Sequence, residues 1–298
     1  MLLHKGVDMT DVSRLHYSVD GEDIVLTQRY FSLADTLDCG QAFRWEAVAE
    51  GAYRGIAGGR CLYISQQGER LRFLNTTEEQ FLGFWADYFD LYTDYGALIE
   101  SFCGDATMAR ACAYAEGMRL LRQEPWEALC SFILSQNNNI PRIKGIIERL
   151  CTQFGEQIHG GVHAFPAPEV LAALDEADLA PIRAGFRAGY VLDAARRVAS
   201  GELQIDEVAA MPFADAKTAL MGIRGVGPKV AECALLYGFG RAEAFPLDVW
   251  MKRAMAHFYR DGLPDCILQN PGIAQQYLFH YVRTCPEAIP EPMRAAQG

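Results

Sequence analysis

Residues 216–237 read AKTALMGIRGVGPKVAECALLY, and no other stretch restricts the architecture of the 298-residue chain so tightly. Two helical patterns meet across GIRGVG, too short a link for anything but a tight hairpin. Gly222, Gly225 and Gly227 let the backbone turn sharply and come close to another surface. Pro228 suits the first position of the second helix. The hairpin amides and that helix N-terminus make an anion-binding end fit for a DNA phosphate. An ordinary αα-hairpin with a glycine-rich turn explains the same residues equally well.

Lys229 shifts the balance. It stands in the first turn of the second helix, where the positive dipole end disfavours an ammonium, and partial burial would disfavour it further. A neutral amine is a nucleophile that can form a Schiff base with a sugar C1′. Taken alone, a solvated lysine is the commoner case. Downstream, AFPLDVW puts Asp248 after a proline and before an amphipathic helix over Val249–Tyr259. Asp248 is expected to cap that helix. A carboxylate there could also stabilise an oxocarbenium-like sugar or relay protons.

The first third of the chain reads as β. Phe43–Val48, Tyr53–Ala57, Cys61–Ser65 and Leu71–Leu74 are short runs separated by glycine-rich turns, as in an antiparallel sheet. Thr77 then precedes EEQFLGFWADYF, a capped helix start. From there nearly everything reads helical, most clearly Pro125–Ser135, where Trp126, Leu129, Cys130, Ile133 and Leu134 form one stripe. The expected class is α+β: an antiparallel β-rich domain over residues 1–104, then a larger all-helical domain over 105–298 carrying the helix–hairpin–helix.

A net charge of −11 argues against tight non-specific binding to nucleic acid. The imbalance is uneven, however. Residues 1–100 hold 16 Asp/Glu against 8 Lys/Arg, so most of it lies outside the hairpin region. Nine cysteines without a CxxC suggest neither a disulfide framework nor a zinc site, and a reducing compartment. No apolar run reaches membrane length and the start lacks a signal pattern. The expectation is a soluble intracellular protein, cytoplasmic and nucleoid-associated in a bacterium or nuclear in a eukaryote.

LMGIRGVGPKVAEC followed by AFPLDVWMKRA resembles the helix–hairpin–helix, Gly/Pro–Asp superfamily of DNA glycosylases. Within it, the chain is similar to the 8-oxoguanine DNA glycosylase/AP lyases. CGQAFRW (39–45), RLLRQEPWEALCSFILSQNNNIPRI (119–143), FRAGYV (186–191) and AQQYLF (274–279) also match, in the family's order, from about Phe31 to Phe279. The resemblance implies an enzyme that flips 8-oxoguanine from duplex DNA, excises it and nicks the strand by β-elimination, with no metal or small cofactor. The partner it implies is double-stranded DNA with cytosine opposite the lesion, and a monomer is the expected state. Lys229 resembles the Schiff-base nucleophile and Asp248 the catalytic aspartate. Gly40 matches the glycine whose carbonyl reads the oxidised base. Cys233 and Phe279 resemble the groups below and above the flipped base, and Gln275 the glutamine at its Watson–Crick edge. Asn137, Arg142 and Arg187 match the residues that hold the orphaned cytosine, and Phe186 takes the place of a tyrosine wedge. Gly225 and Gly227 belong to the DNA-binding hairpin.

Trp250 departs from the pattern, standing where animal members have a histidine beside the lesion phosphate. After Phe279 the match is poor. The chain lacks the clustered cysteines of the iron–sulfur branch. Two rivals stay open: a glycosylase for alkylated bases that uses Asp248 alone, and a non-catalytic module that docks phosphate through the hairpin.

Overall fold

The computed structural model describes residues 15–158 and 160–289. Six strands form one antiparallel sheet in the order β1-β2-β6-β5-β4-β3. They are β1 (Tyr17–Asp20), β2 (Asp23–Thr27), β3 (Trp45–Ala49), β4 (Ala52–Ala57), β5 (Arg60–Gln67) and β6 (Arg70–Leu74). Four of these match the runs expected from the sequence. The first two were not foreseen, because Tyr17–Asp20 carries alternate polar groups and Asp23–Thr27 is too short to show a period. β2 joins the sheet through β6, pairing Ile24 with Phe73 and Leu26 with Leu71.

The buried face of the sheet, with Ile24, Leu26, Trp45, Leu62, Ile64, Leu71 and Phe73, packs against Phe81, Trp85 and Phe89. Phe81 and Trp85 lie on a helical run that Thr77 starts, its hydroxyl accepting from the Gln80 amide while the Gln80 side chain caps in return.

The helix Pro125–Ser135 has the expected bounds but not the expected surroundings. Nearly every residue from Pro125 to Leu134 is buried, so it is the centre of the second core rather than an amphipathic wall. Around it pack Ile140–Phe154, Arg187–Ala199 and the hairpin's second helix, Pro228–Tyr237.

A third core joins distant parts of the chain. Tyr95, Phe102, Met108 and Met118 pack with Met251, Ala254, Tyr277, Leu278 and Val282. The helix that follows Asp248 and the helix Pro271–Thr284 are rooted here. Among the described residues, no helix is long and apolar enough to cross a membrane.

Candidate active site

Two helices bring Lys229, Cys233 and Asp248 together. Lys229 and Cys233 are one turn apart on Pro228–Tyr237, facing the same way. The Lys229 side chain hydrogen-bonds the Cys233 thiol. Burial pushes that thiol's pKa up, the lysine pulls it back down, and the nearby Asp248 carboxylate adds to the rise. Lys229 Nζ also stands 5.6 Å from the centroid of Phe132, which stacks on Tyr237 at 5.0 Å. Asp248 is the N-cap of Val249–Phe258, its carboxylate accepting from the Met251 amide at 2.8 Å. The expected capping role is therefore present, with the second carboxylate oxygen left for other work.

Gln275 lies one turn into Pro271–Thr284 and is 3% exposed. Its Nε2 donates to the carbonyl of Pro246, two residues before Asp248, at 3.1 Å. Its Oε1 is buried with no hydrogen-bond partner among the described residues. An unmet buried acceptor costs about 1–3 kcal/mol, so this oxygen is a ready receiver for a ligand donor.

Gly40 is fixed from below. The next residue, Gln41, is fully buried; its Nε2 donates to the carbonyls of Thr36 and Arg119, and its Oε1 accepts from the Leu121 amide. Gly40 itself has φ of +91°, a conformation L side chains rarely adopt. A Cβ there would lie 2.9 Å from Arg283 Nη1 and 3.1 Å from Ile140 Cδ1. Arg283 is also over the Phe279 ring, with its guanidinium carbon 5.3 Å from the centroid.

A second group forms where Pro125–Ser135 ends. Asn137 has φ of +47° and turns the chain, and Asn139 caps the next helix through the Arg142 amide. Arg187 is not a solvated charge. It is 3% exposed and donates to the carbonyls of Gln136 (2.6 Å), Asn137 (2.8 Å) and Ala184 (3.1 Å). Burial first, and the charge of Arg142 second, lower its pKa. Phe186 is 56% exposed, flanked by Arg187 and edge-on to Tyr190 at 5.6 Å.

The hairpin explains one of its glycines. Gly225 has φ of +79°, and a Cβ on it would fall 2.2 Å from the Tyr190 ring. Asp193 accepts from the Arg224 amide at 2.8 Å and pairs with Arg197, holding the turn. Among the described residues, nothing accepts from the N–H groups of Gly225 or Gly227. Both remain available to a phosphate oxygen. Trp250 lies beside Arg253, 5.0 Å from ring centroid to guanidinium carbon, one residue past the cap-bound end of its helix.

Sequence reasoning missed Phe132, Tyr237, Tyr190 and Arg283. Phe132 and Tyr237 are apolar helix residues that look like any core, Tyr190 declares itself only through its overlap with Gly225, and Arg283 lies beyond the last matching motif.

Residues 23–129 match the family model described as the 8-oxoguanine DNA glycosylase N-terminal domain, and residues 130–262 match that of HhH-GPD superfamily base excision DNA repair proteins. An N-glycosylase/DNA lyase of Saccharomyces cerevisiae is 29% identical, over 80% of this chain and 70% of that protein. An 8-oxoguanine glycosylase/lyase of Clostridium acetobutylicum, solved with double-stranded DNA bearing cytosine opposite 8-oxoguanine, superposes with a TM-score of 0.83. It is 34% identical, over 90% of this chain and 98% of that one. The structure of MBOgg1 with a DNA ligand gives a TM-score of 0.84 at 39% identity, over 91% of this chain and 98% of that one. A 3-methyladenine DNA-glycosylase of Archaeoglobus fulgidus, at 17% identity and a TM-score of 0.67, shares the fold.

Proposed function

Because the chain belongs to the HhH-GPD superfamily of base-excision DNA repair proteins, in its 8-oxoguanine glycosylase/lyase branch, we propose that it removes 8-oxoguanine from duplex DNA and nicks the abasic strand, with the residues named above in the following roles. The observation that carries the assignment is the Lys229–Cys233–Asp248 cluster: a lysine amine hydrogen-bonded to a buried thiol, with a carboxylate close enough to act on that thiol's charge.

The Lys229 amine attacks C1′ as the bond to the base breaks, and the departing base takes a proton. Asp248 stabilises the positive charge that develops on the sugar. Ring opening leaves a Schiff base between Nζ and C1′. Loss of a C2′ proton then expels the 3′-phosphate, the β-elimination step. Flipping is required because C1′ cannot be reached inside the stack. In the base pocket, Cys233 and Phe279 cover the two faces. The Gly40 carbonyl accepts from N7–H, which guanine lacks, and the unpartnered Gln275 Oε1 accepts from the Watson–Crick edge.

Asn137, Arg142 and Arg187 face the widowed cytosine, and Phe186 fills the gap left by the flipped base. Arg187 has a further task, because it ties down the carbonyl of Asn137. Gly225 and Gly227 dock the backbone. One chain supplies every group in this scheme, so a monomer suffices. Its place of work is where DNA is, the nucleoid or the nucleus.

Borohydride trapping on an 8-oxoguanine duplex tests the mechanism. The wild type should give a covalent adduct. Lys229→Gln should give none and release no base, while its duplex affinity stays within about tenfold, since one amine near phosphates is a modest electrostatic contribution. Strand nicking retained by Lys229→Gln would remove this lysine from the reaction.

A further inference from the structure

Arg283 comes from the part of the chain where family motifs no longer match, yet its side chain reaches back to Phe279 and Gly40. Its guanidinium lies against the Phe279 ring and beside Gly40, so close that Nη1 would be 2.9 Å from a Cβ there. Its charge is felt on several sides: it opposes the upward push of burial on the thiol of Cys39 and the phenol of Tyr237, and it helps hold down the pKa of His280. Among the described residues it forms no ion pair. Its only hydrogen bond there is a long one, 3.4 Å, to the Asp38 carbonyl. A cation with most of its donors unspent stands between the proposed base reader and the proposed stacking ring.

The chemistry of the ligand fits that arrangement. In 8-oxoguanine the N7–H donor is flanked by two carbonyl oxygens, O6 and O8. A backbone carbonyl that accepts from N7–H meets repulsion from acceptors on both sides unless a donor sits next to it. Resting on the reading of Gly40 and Phe279 given above, we propose that Arg283 is a specificity-determining residue whose guanidinium donates to the O6/O8 edge of the flipped base. The Gly40 carbonyl and Arg283 would then form an acceptor–donor pair complementary to the oxidised edge. Hydrogen bonds from a charged donor are roughly twice as strong as neutral ones, and guanidinium donors are fixed in a plane that suits a flat base.

The test uses Arg283→Leu, which keeps an apolar contact with Phe279, and Arg283→Lys, which keeps the charge but not the fork. Single-turnover excision of 8-oxoguanine opposite cytosine is measured beside affinity for the same duplex carrying a tetrahydrofuran abasic analogue, which has no base to read. Arg283→Leu should slow excision by about tenfold or more, with affinity for the abasic duplex within about twofold, and Arg283→Lys should fall between. Unchanged excision by a folded Arg283→Leu would overturn the proposal. So would an equal loss on the base-free duplex, which marks a phosphate contact or a structural role. A wild type that fails to excise 8-oxoguanine would instead refute the function itself, and the two failures are distinct.

Discussion

Gly225→Ala probes the hairpin through two separable costs. The backbone there has φ of +79°, and placing an L side chain in that region costs about 1–2 kcal/mol. The new Cβ would also sit 2.2 Å from the Tyr190 ring, so the ring must move, at about 1–3 kcal/mol for a forced repacking. The expected loss of stability is the combination, about 2–5 kcal/mol. Tyr190→Ala removes the ring and hence only the second cost. In that background Gly225→Ala should cost about 1–2 kcal/mol, leaving a coupling of about 1–3 kcal/mol between the two positions. Urea unfolding of wild type, both single variants and the double variant measures all four corners. Duplex affinity should fall with Gly225→Ala as well, because the displaced turn no longer aims the amides of Gly225 and Gly227. If Gly225→Ala costs the same in both backgrounds, Tyr190 does not press on the hairpin and the reasoning fails.

Asp248→Asn should leave stability within about 0.5 kcal/mol, because asparagine caps as well as aspartate, while base excision falls by roughly 10² or more; full turnover in a stable variant would reduce Asp248 to its cap. Arg142 is exposed and among the described residues its side chain clamps no backbone, so Arg142→Ala is the clean probe of the opposite base: it should weaken the preference for cytosine over adenine by more than it slows excision opposite cytosine, and a wild type that cuts equally opposite all four bases would refute the assignment. Burial pushes the Glu127 carboxyl up to about 7. With its folded pKa above the ordinary 4.5, it contributes stability that is complete below about pH 4.5 and is lost as pH rises through about 7. Glu127→Gln should therefore gain on the wild type in urea unfolding between about pH 5 and pH 8, and a difference that does not change with pH would show that this carboxyl does not titrate in the fold.

The parts of the site that were legible in the sequence are those where a residue type is dictated locally. Gly225 and Pro228 announce the hairpin because few other residues take those backbone positions, and Asp248 announces a helix start. What escaped depends on contacts between distant segments. Arg187 looks like any charged residue at a helix start, and only the fold reveals that three carbonyls of two loops converge on it. The stripe in Pro125–Ser135 suggested one buried face, since Glu127, Ala128 and Ser131 off the stripe are small or polar and only Phe132 hints that a second layer covers that side. Arg283 could not be found by motif at all. Its position depends on Gly40, far away in the chain, having no side chain to keep the guanidinium out.

The third core bears on the order in which the protein is made. Tyr95, Phe102, Met108 and Met118 leave the ribosome long before Met251, Tyr277 and Val282, their packing partners. Until the last helix is synthesised, that apolar surface has nothing to close on, and the helix capped by Asp248 has no bed. Lys229, by contrast, is seated on a core whose members all precede Phe245 in the chain. The bed under Lys229 is thus complete in the chain before the bed under the helix that Asp248 caps, and a nascent chain can close the first before it can close the second. Such a chain also exposes the sticky half of an unfinished core, the kind of surface that recruits chaperones or aggregates.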